Sequence, residues 1–91
     1  MISQTLKFIN EVRGSRSLEP LTEIRRGLRS CAGTCPIANS LKDSDEIFVE
    51  VSGTTYVVGN SDKMTLPDCA VGFIYEFDNG YLPEYDIGLP N

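Results

Sequence analysis

The chain has 91 residues, 41% of them hydrophobic, so it has room for one small core, and we predict a single globular domain over residues 1–91. It contains no histidine, the side chain that most often acts as a general base or metal ligand near neutral pH, so we expect a protein that is not an enzyme and carries no cofactor. The net charge of −5 is unevenly distributed: residues 1–42 carry seven cationic side chains against three carboxylates, and the remainder carries one against ten.

Two helices are predicted in the first third of the chain. Apolar residues recur at helical spacing from Ile2 to Val12, so residues 3–13 are expected to form an amphipathic helix that ends at Gly14. Apolar side chains repeat with the same spacing over residues 18–29, where three arginines take the opposite side. This pattern predicts a second helix there, although a glycine within it lowers the helix propensity.

The segment TCPIANSL, residues 34–41, predicts the start of a short third helix. Thr34 is a good N-terminal cap, and Pro36 suits the first helical turn because its missing N–H would have no partner there in any case. An apolar stripe follows, and the helix is expected to end near Lys42.

The three cysteines are Cys31, Cys35 and Cys69, and we expect them to be structural thiols. A zinc knuckle needs a fourth ligand, which a chain without histidine lacks, and a reducing compartment opposes a disulfide. An enzyme that uses Cys69 is the least favoured hypothesis, because no base is apparent beside it and Asp68 opposes a thiolate. No apolar run approaches the length of a membrane helix and the start lacks a secretory pattern, so a cytoplasmic protein is expected.

The clearest local pattern is EIFVEVSGTTYVVG, residues 46–59, in which two β-rich runs flank a Ser-Gly pair. It predicts an antiparallel hairpin in which Val51 pairs with Thr54 and Val49 pairs with Tyr56. The predicted core face of the hairpin consists of Ile47, Val49, Val51, Tyr56 and Val58.

A long C-terminal helix is predicted after the hairpin. Thr65 is expected to cap it, Pro67 and Asp68 to fill its first turn, and Gly80 to end it. Together the predictions give an α+β fold with three N-terminal helices, one antiparallel hairpin and this long helix packed on the hairpin.

The outer face of the last predicted helix is the expected partner-binding surface. Gly72 lowers helix stability at a position where alanine would be easy, and Tyr75 is an amphipathic anchor of the kind enriched at interfaces. Close packing inside the domain is the alternative explanation for the same residues. The predicted partner-binding set is Asp68, Gly72, Tyr75, Asn79, Tyr81 and Tyr85.

A nucleic-acid-directed protein is the second functional hypothesis. Arg25, Arg26 and Arg29 form a basic stripe that would contact phosphates, although a solvated helix face is the commoner origin of such a stripe. The carboxylates along residues 43–50 and 76–86 suggest instead an acidic mimic of nucleic acid, or contact with a basic protein surface. Nucleic acid is not the expected partner.

The segments CPIANSL and LPDCAVGFIYEFDNGYLPEY resemble short uncharacterised proteins of actinobacteria and their phages, over about residues 31–85. The resemblance implies a small, phage-encoded α+β accessory protein with no shared catalytic residues. Small phage proteins of this kind often bind and redirect a host protein. We therefore expect a non-enzymatic module that binds a host protein, serving host takeover, growth inhibition or exclusion of other phages, with self-association as a further option.

Overall fold

The computed structural model describes residues 1–42 and 47–88. These residues form an α+β domain with three helices and a three-stranded antiparallel sheet. No helix in this part of the chain is long and apolar enough to cross a membrane. A 3-10 turn, Pro83–Tyr85, follows the last helix, and the elements in chain order are α1 (Ile2–Ser15), α2 (Pro36–Leu41), β1 (Val49–Ser52), β2 (Thr55–Val58), β3 (Met64–Thr65) and α3 (Asp68–Asp78).

Helix α1 continues past the predicted end at Gly14 and closes with a Schellman motif. The Ser17 N–H donates to the Gly14 carbonyl at 3.0 Å, and the Leu18 N–H donates to the Arg13 carbonyl at 2.9 Å. Ser17, at the position that usually holds glycine, has a φ of +62°. The chain therefore turns sharply out of α1 without a glycine at the turn.

The prediction of three N-terminal helices is wrong, because residues 18–29 do not form a helix. The N–H of Gly27 donates to the carbonyl of Tyr85 at 2.8 Å, and its carbonyl accepts from the N–H of Ile87 at 3.0 Å. This segment therefore forms an isolated parallel bridge with the C-terminal tail instead of bonding to itself. The apolar spacing nevertheless correctly indicated a buried side chain, because Ile24 lies in the core.

Gly27 allows the non-helical segment of residues 18–29 to pass close to the start of α2. A Cβ atom on Gly27 would lie 2.4 Å from both the carbonyl carbon of Cys35 and the nitrogen of Pro36. The chain can pass the start of α2 this closely only where a residue has no side chain. The short helix α2 itself forms after Cys35, whose Sγ, rather than the Thr34 hydroxyl, accepts the capping bond from Ala38.

The hairpin forms with a different register from the predicted one. Val51 pairs with Tyr56 and Val49 pairs with Val58, so the two turn residues are Gly53 and Thr54. Gly53 has a φ of +58°, which suits the first central position of a type II′ turn. Each residue of β1 pairs two positions further along β2 than predicted. A shift by two leaves every side chain on the face that was predicted for it. The predicted core residues Val49, Val51 and Val58 are accordingly buried.

The prediction of a long C-terminal helix packed on the hairpin is also wrong. Met64–Thr65 pairs with β2 as a third strand, so Thr65 does not cap a helix, and α3 runs for only 11 residues. Helix α3 packs chiefly on α1, where the Thr5 hydroxyl donates to the Cys69 carbonyl at 3.1 Å. The expected stop at Gly80 does occur, with a φ of +83° and a second Schellman pair of hydrogen bonds.

The core lies between α1, α2, α3 and the inner face of the sheet. Phe73 and Phe77 of α3 are fully buried and stack with ring centroids 6.4 Å apart. Helix α1 reaches the sheet through Phe8, which meets the ring of Tyr56 edge to face at 5.4 Å. Helix α2 closes the remaining side by packing on β1.

Candidate functional site

A surface cleft lies between α3 and the turn of the hairpin. Its inner chamber has a volume of about 190 Å³, and its outer groove has a volume of about 390 Å³. Gly53, Ile74 and Asp78 line both parts, so the chamber and the groove adjoin each other. We call the two together the α3 cleft.

The outer groove is a mostly apolar surface on α3. Val71 and Ile74 line it from the helix, and Thr54 lines it from the hairpin turn. Tyr75, also on the groove, exposes 67% of its surface. An exposed tyrosine beside an apolar depression can bury its ring against a partner while its hydroxyl still meets water.

The inner chamber has an apolar floor and a polar rim. Ile37, Phe73 and Phe77, all buried in the core, form part of its wall. Ser30 and Ser52, both exposed, lie at its opening. The chamber can therefore admit a small group that has both an apolar part and a polar neighbour.

Asp78 supplies the one carboxylate of the α3 cleft. Its Oδ1 accepts a hydrogen bond of 3.0 Å from the Ser30 N–H, and the side chain is half-buried. No lysine or arginine in residues 1–42 or 47–88 forms an ion pair with it. The cleft thus holds a partly desolvated negative charge without a cationic partner among the described side chains.

The surrounding surface is acidic as well. Residues 64–88 contain five carboxylates and no lysine or arginine. Asp86 is neutralised by Arg29, whose Nε lies 3.0 Å from its Oδ2. Asp68 remains exposed at the start of α3, on the same helical face as Tyr75.

Two cysteines line the chamber, and the buried one, Cys35, is held in its protonated form. Burial, with a smaller contribution from the negative charge of Asp78, raises the pKa of Cys35 above its ordinary value. Its thiol therefore stays protonated at neutral pH and serves as the cap of α2. Within the described part of the chain, no three His, Cys, Asp or Glu side chains are grouped so as to hold a metal ion.

The predicted partner-binding residues are distributed over different environments. Tyr75 and Asn79 line the outer groove, and the Asn79 amide donates to the Tyr75 carbonyl at 2.7 Å. Gly72 lies under the N-terminus, since a Cβ there would approach the Met1 sulfur to 3.3 Å. Gly72 therefore has a neighbour inside the domain, the flexible side chain of Met1.

The other two tyrosines of the predicted set lie away from the groove. Tyr85 is half-buried, and its ring meets Phe73 edge to face at 5.4 Å. Tyr81 is 71% exposed but lines neither part of the α3 cleft. Of the predicted tyrosines, only Tyr75 belongs to the cleft.

The three arginines of the nucleic-acid hypothesis lie in the non-helical segment and bond to the chain itself. Arg25 donates to the carbonyls of Asn39 and Lys42, and Arg26 donates to the carbonyl of Asp86. Arg29 is the partner of the Asp86 carboxylate. The proposed acidic mimic includes residues 43–46, which lie outside the described residues.

The inner chamber was not predicted from the sequence. It forms where the loop before α2, the hairpin turn and α3 meet, and no local pattern indicates that meeting. The only signals were indirect: a glycine at the hairpin turn and a cysteine-proline pair at the start of a helix.

Comparison of the chain with protein-family models, curated proteins and solved structures found no match. The chemistry of the α3 cleft is therefore the basis on which a function is assigned.

Proposed function

We propose that the protein is a small non-enzymatic binding module that docks a partner protein in the α3 cleft. The observation that carries the proposal is Tyr75, 67% exposed beside an apolar groove in which Asp78 is the one charged side chain among the described lining residues. Tyrosine is enriched at the centres of interfaces, where its truncation to alanine often weakens binding strongly. The expected occupant is a protein segment that combines apolar and basic side chains.

Charge complementarity supports this choice of partner. Residues 64–88 contain five carboxylates, of which Arg29 pairs with Asp86, and Asp78 lies inside the cleft. A basic segment would be attracted to this surface, whereas a phosphate backbone would be repelled by it. The arginines that would have to meet nucleic acid donate instead to carbonyls and to Asp86.

The cleft lends little support to catalysis. Cys31 and Cys35 line the chamber, where the raised pKa of Cys35 keeps that thiol protonated, and Asp78 is the one carboxylate among the described lining residues. Nucleophilic or acid–base chemistry usually needs a second group that activates the first. Binding is the simpler function for this arrangement.

The biological role we propose is that of a phage-encoded modulator of a host protein in the bacterial cytoplasm. Its support is the resemblance inferred from the sequence motifs of residues 31–85, together with the proposed binding surface on so short a chain. Self-association through the same cleft is the second form that the proposal allows.

A differential capture experiment tests the proposal. The protein, its Tyr75→Ala variant and its Tyr81→Ala variant are immobilised and exposed to a lysate of actinobacterial cells. Tyr81 is the matched control, since it is equally exposed but lies outside the cleft. We expect a host protein that the parent and Tyr81→Ala retain and that Tyr75→Ala loses. Retention of the same proteins by all three forms would contradict the proposed surface.

A further inference from the structure

We propose that the inner chamber takes one apolar side chain of the partner, and that Asp78 binds a lysine or arginine next to that side chain in the partner's sequence. This inference rests on the proposed function and deepens it. It replaces a general apolar groove with a two-part recognition site for an apolar residue followed or preceded by a basic one.

The size of the chamber fits a single side chain. An apolar cavity of about 150 Å³ inside a protein can bind benzene. At about 190 Å³ the chamber has room for one aromatic or branched aliphatic group, but not for two. Because its lining includes the exposed residues Ser30 and Ser52, a group can enter from solvent without unfolding of the domain.

The lining of the chamber combines apolar side chains with polar ones. Phe73, Phe77 and Val51 offer buried carbon surface, and the neutral thiol of Cys35 behaves as a small hydrophobic group. A group that fills this space would gain dispersion contacts with the wall atoms that face it.

The carboxylate of Asp78 is placed to bind a cationic side chain next to the apolar one in the partner's sequence. Its carboxylate lines the chamber and the groove together, and of its two oxygens Oδ1 accepts the hydrogen bond from the Ser30 N–H. A charge-assisted bond from a lysine or arginine to this half-buried carboxylate would be stronger than one to a fully exposed carboxylate. No described cation of the chain competes for the position.

Capped dipeptide amides provide the probes for a test. N-acetyl-Phe-Lys-amide carries both groups, N-acetyl-Phe-Gln-amide lacks the charge, and N-acetyl-Ala-Lys-amide lacks the apolar group. Each is titrated into ¹⁵N-labelled full-length protein, and the amide shifts of Ser30, Gly53 and Phe77 report binding in the chamber. The protection of the exposed Cys31 thiol at the chamber wall against a disulfide reagent gives a second readout.

We expect the Phe-Lys probe to bind at least about fivefold more tightly than either control, and to slow modification of Cys31. In Asp78→Asn, which keeps an acceptor for the Ser30 N–H, the Phe-Lys and Phe-Gln probes should bind equally well. Equal binding of all three probes to the parent, or shifts confined to residues outside the chamber, would overturn the inference.

The two proposals fail separately. If Tyr75→Ala loses a host partner but the probes leave the chamber amides unchanged, docking in the groove stands and the side-chain pocket is overturned. If the probes bind through Asp78 while Tyr75→Ala retains every captured protein, the pocket stands and the proposed docking surface is overturned.

Discussion

Ser17 occupies the left-handed position that ends α1, and its φ of +62° is a conformation that strains any residue with a side chain. The two Schellman hydrogen bonds around it hold the chain in this shape. The backbone of Ser17 is therefore strained at the turn that leads from α1 into residues 18–29.

Replacing Ser17 by glycine should relieve that strain. We expect Ser17→Gly to raise the free energy of unfolding by about 0.5–1 kcal/mol, the net of the lost steric strain and the greater freedom of glycine in the unfolded chain. Urea denaturation measures the change. Ser15→Gly is the control, because Ser15 lies within α1 and its replacement should lower stability by a similar amount. Equal destabilisation by both variants would contradict the motif.

The buried thiol of Cys35 should make stability depend on pH. Its folded-state pKa is raised above the ordinary 9.0, mainly by burial, so the unfolded chain loses the proton first as the pH rises. The stabilisation is thus fully present below the unfolded pKa and is lost as the pH rises toward the folded pKa. Denaturation midpoints measured from pH 7 to 10 should fall, and should fall less steeply in Cys35→Ala.

Cys31 provides the matched control for this pH dependence, because it is exposed. Cys31→Ala should retain the full alkaline loss of stability. The tyrosines Tyr56 and Tyr85, whose pKa values burial also raises, would add a further loss near the upper end of the range. Identical slopes for the parent and Cys35→Ala would show that the Cys35 thiol does not titrate differently on unfolding.

At the scale of elements, the segment of residues 18–29 shows why spacing alone misleads. Its residue Ile24 is buried, as the spacing predicts, but the backbone of Gly27 bonds to Tyr85 and Ile87 near the other end of the chain. Helical spacing constrains only which side chains are buried. It carries no information about a distant strand-like partner, so the helix was predicted where an extended segment forms.

The hairpin shows the opposite balance. Alternating β-rich residues correctly indicated two strands and the faces of Val49, Val51 and Val58, because alternation is local. The predicted register was wrong because Ser-Gly and Gly-Thr are both compatible with a two-residue turn. The third strand, in which Met64 pairs with Tyr56, was not predicted. That third strand also shortens the helix that follows.

A glycine replacement distinguishes the observed segment from the predicted helix. Gly27→Ala should lower the free energy of unfolding by about 2 kcal/mol or more, since its Cβ would overlap the backbone at Cys35 and Pro36. In a helix the same change would raise stability by about 1 kcal/mol. The control is Gly14→Ala in α1, where nothing lies within 4 Å, and it should stabilise the protein by that amount. A stabilised Gly27→Ala variant would contradict the extended path.

At the scale of the whole molecule, the two electrically different parts of the chain meet. Arg26 and Arg29 from the basic part both bind Asp86 from the acidic part, through its carbonyl and its carboxylate respectively. This contact lies beside the bridge between Gly27 and the tail. The arginines of the basic part therefore help to hold the C-terminal residues around Asp86 against the domain. The other carboxylates of residues 64–88 form no ion pair with a described lysine or arginine.

This use of the arginines predicts weak affinity for nucleic acid. Binding to duplex DNA should be undetectable near physiological salt, because Arg25, Arg26 and Arg29 already donate within the chain and the net charge is −5. Fluorescence anisotropy with labelled duplex checks this. A low-micromolar complex that weakens steeply with added salt and is lost in Arg26→Glu would favour the nucleic-acid hypothesis instead.

The candidate site was predictable only in the part that one helix supplies. Helical spacing placed Tyr75 and Asn79 on one face of α3, and both line the groove. The covering of Gly72 by Met1 and the folding of Tyr85 onto Phe73 depend on contacts between distant parts of the chain. The inner chamber depends on three such segments at once, so no single stretch of sequence carries its signature.

The central claim is that Tyr75 belongs to a binding surface and Phe73, two residues earlier on α3, belongs to the core. Phe73 is fully buried, so Phe73→Ala should lower the free energy of unfolding by about 3–5 kcal/mol. Tyr75 is largely exposed, so Tyr75→Ala should change it by no more than about 0.5 kcal/mol.

The most direct measurement is the dissociation constant of the captured partner, or of the dimer if the partner is a second copy, determined calorimetrically for the parent, Tyr75→Ala and Tyr81→Ala. We predict that Tyr75→Ala weakens binding by at least about 1 kcal/mol, roughly fivefold, at unchanged stability, while Tyr81→Ala binds as the parent does. A Tyr75→Ala variant that binds with parental affinity, or that unfolds while a soluble Phe73→Ala variant stays folded, would contradict the account.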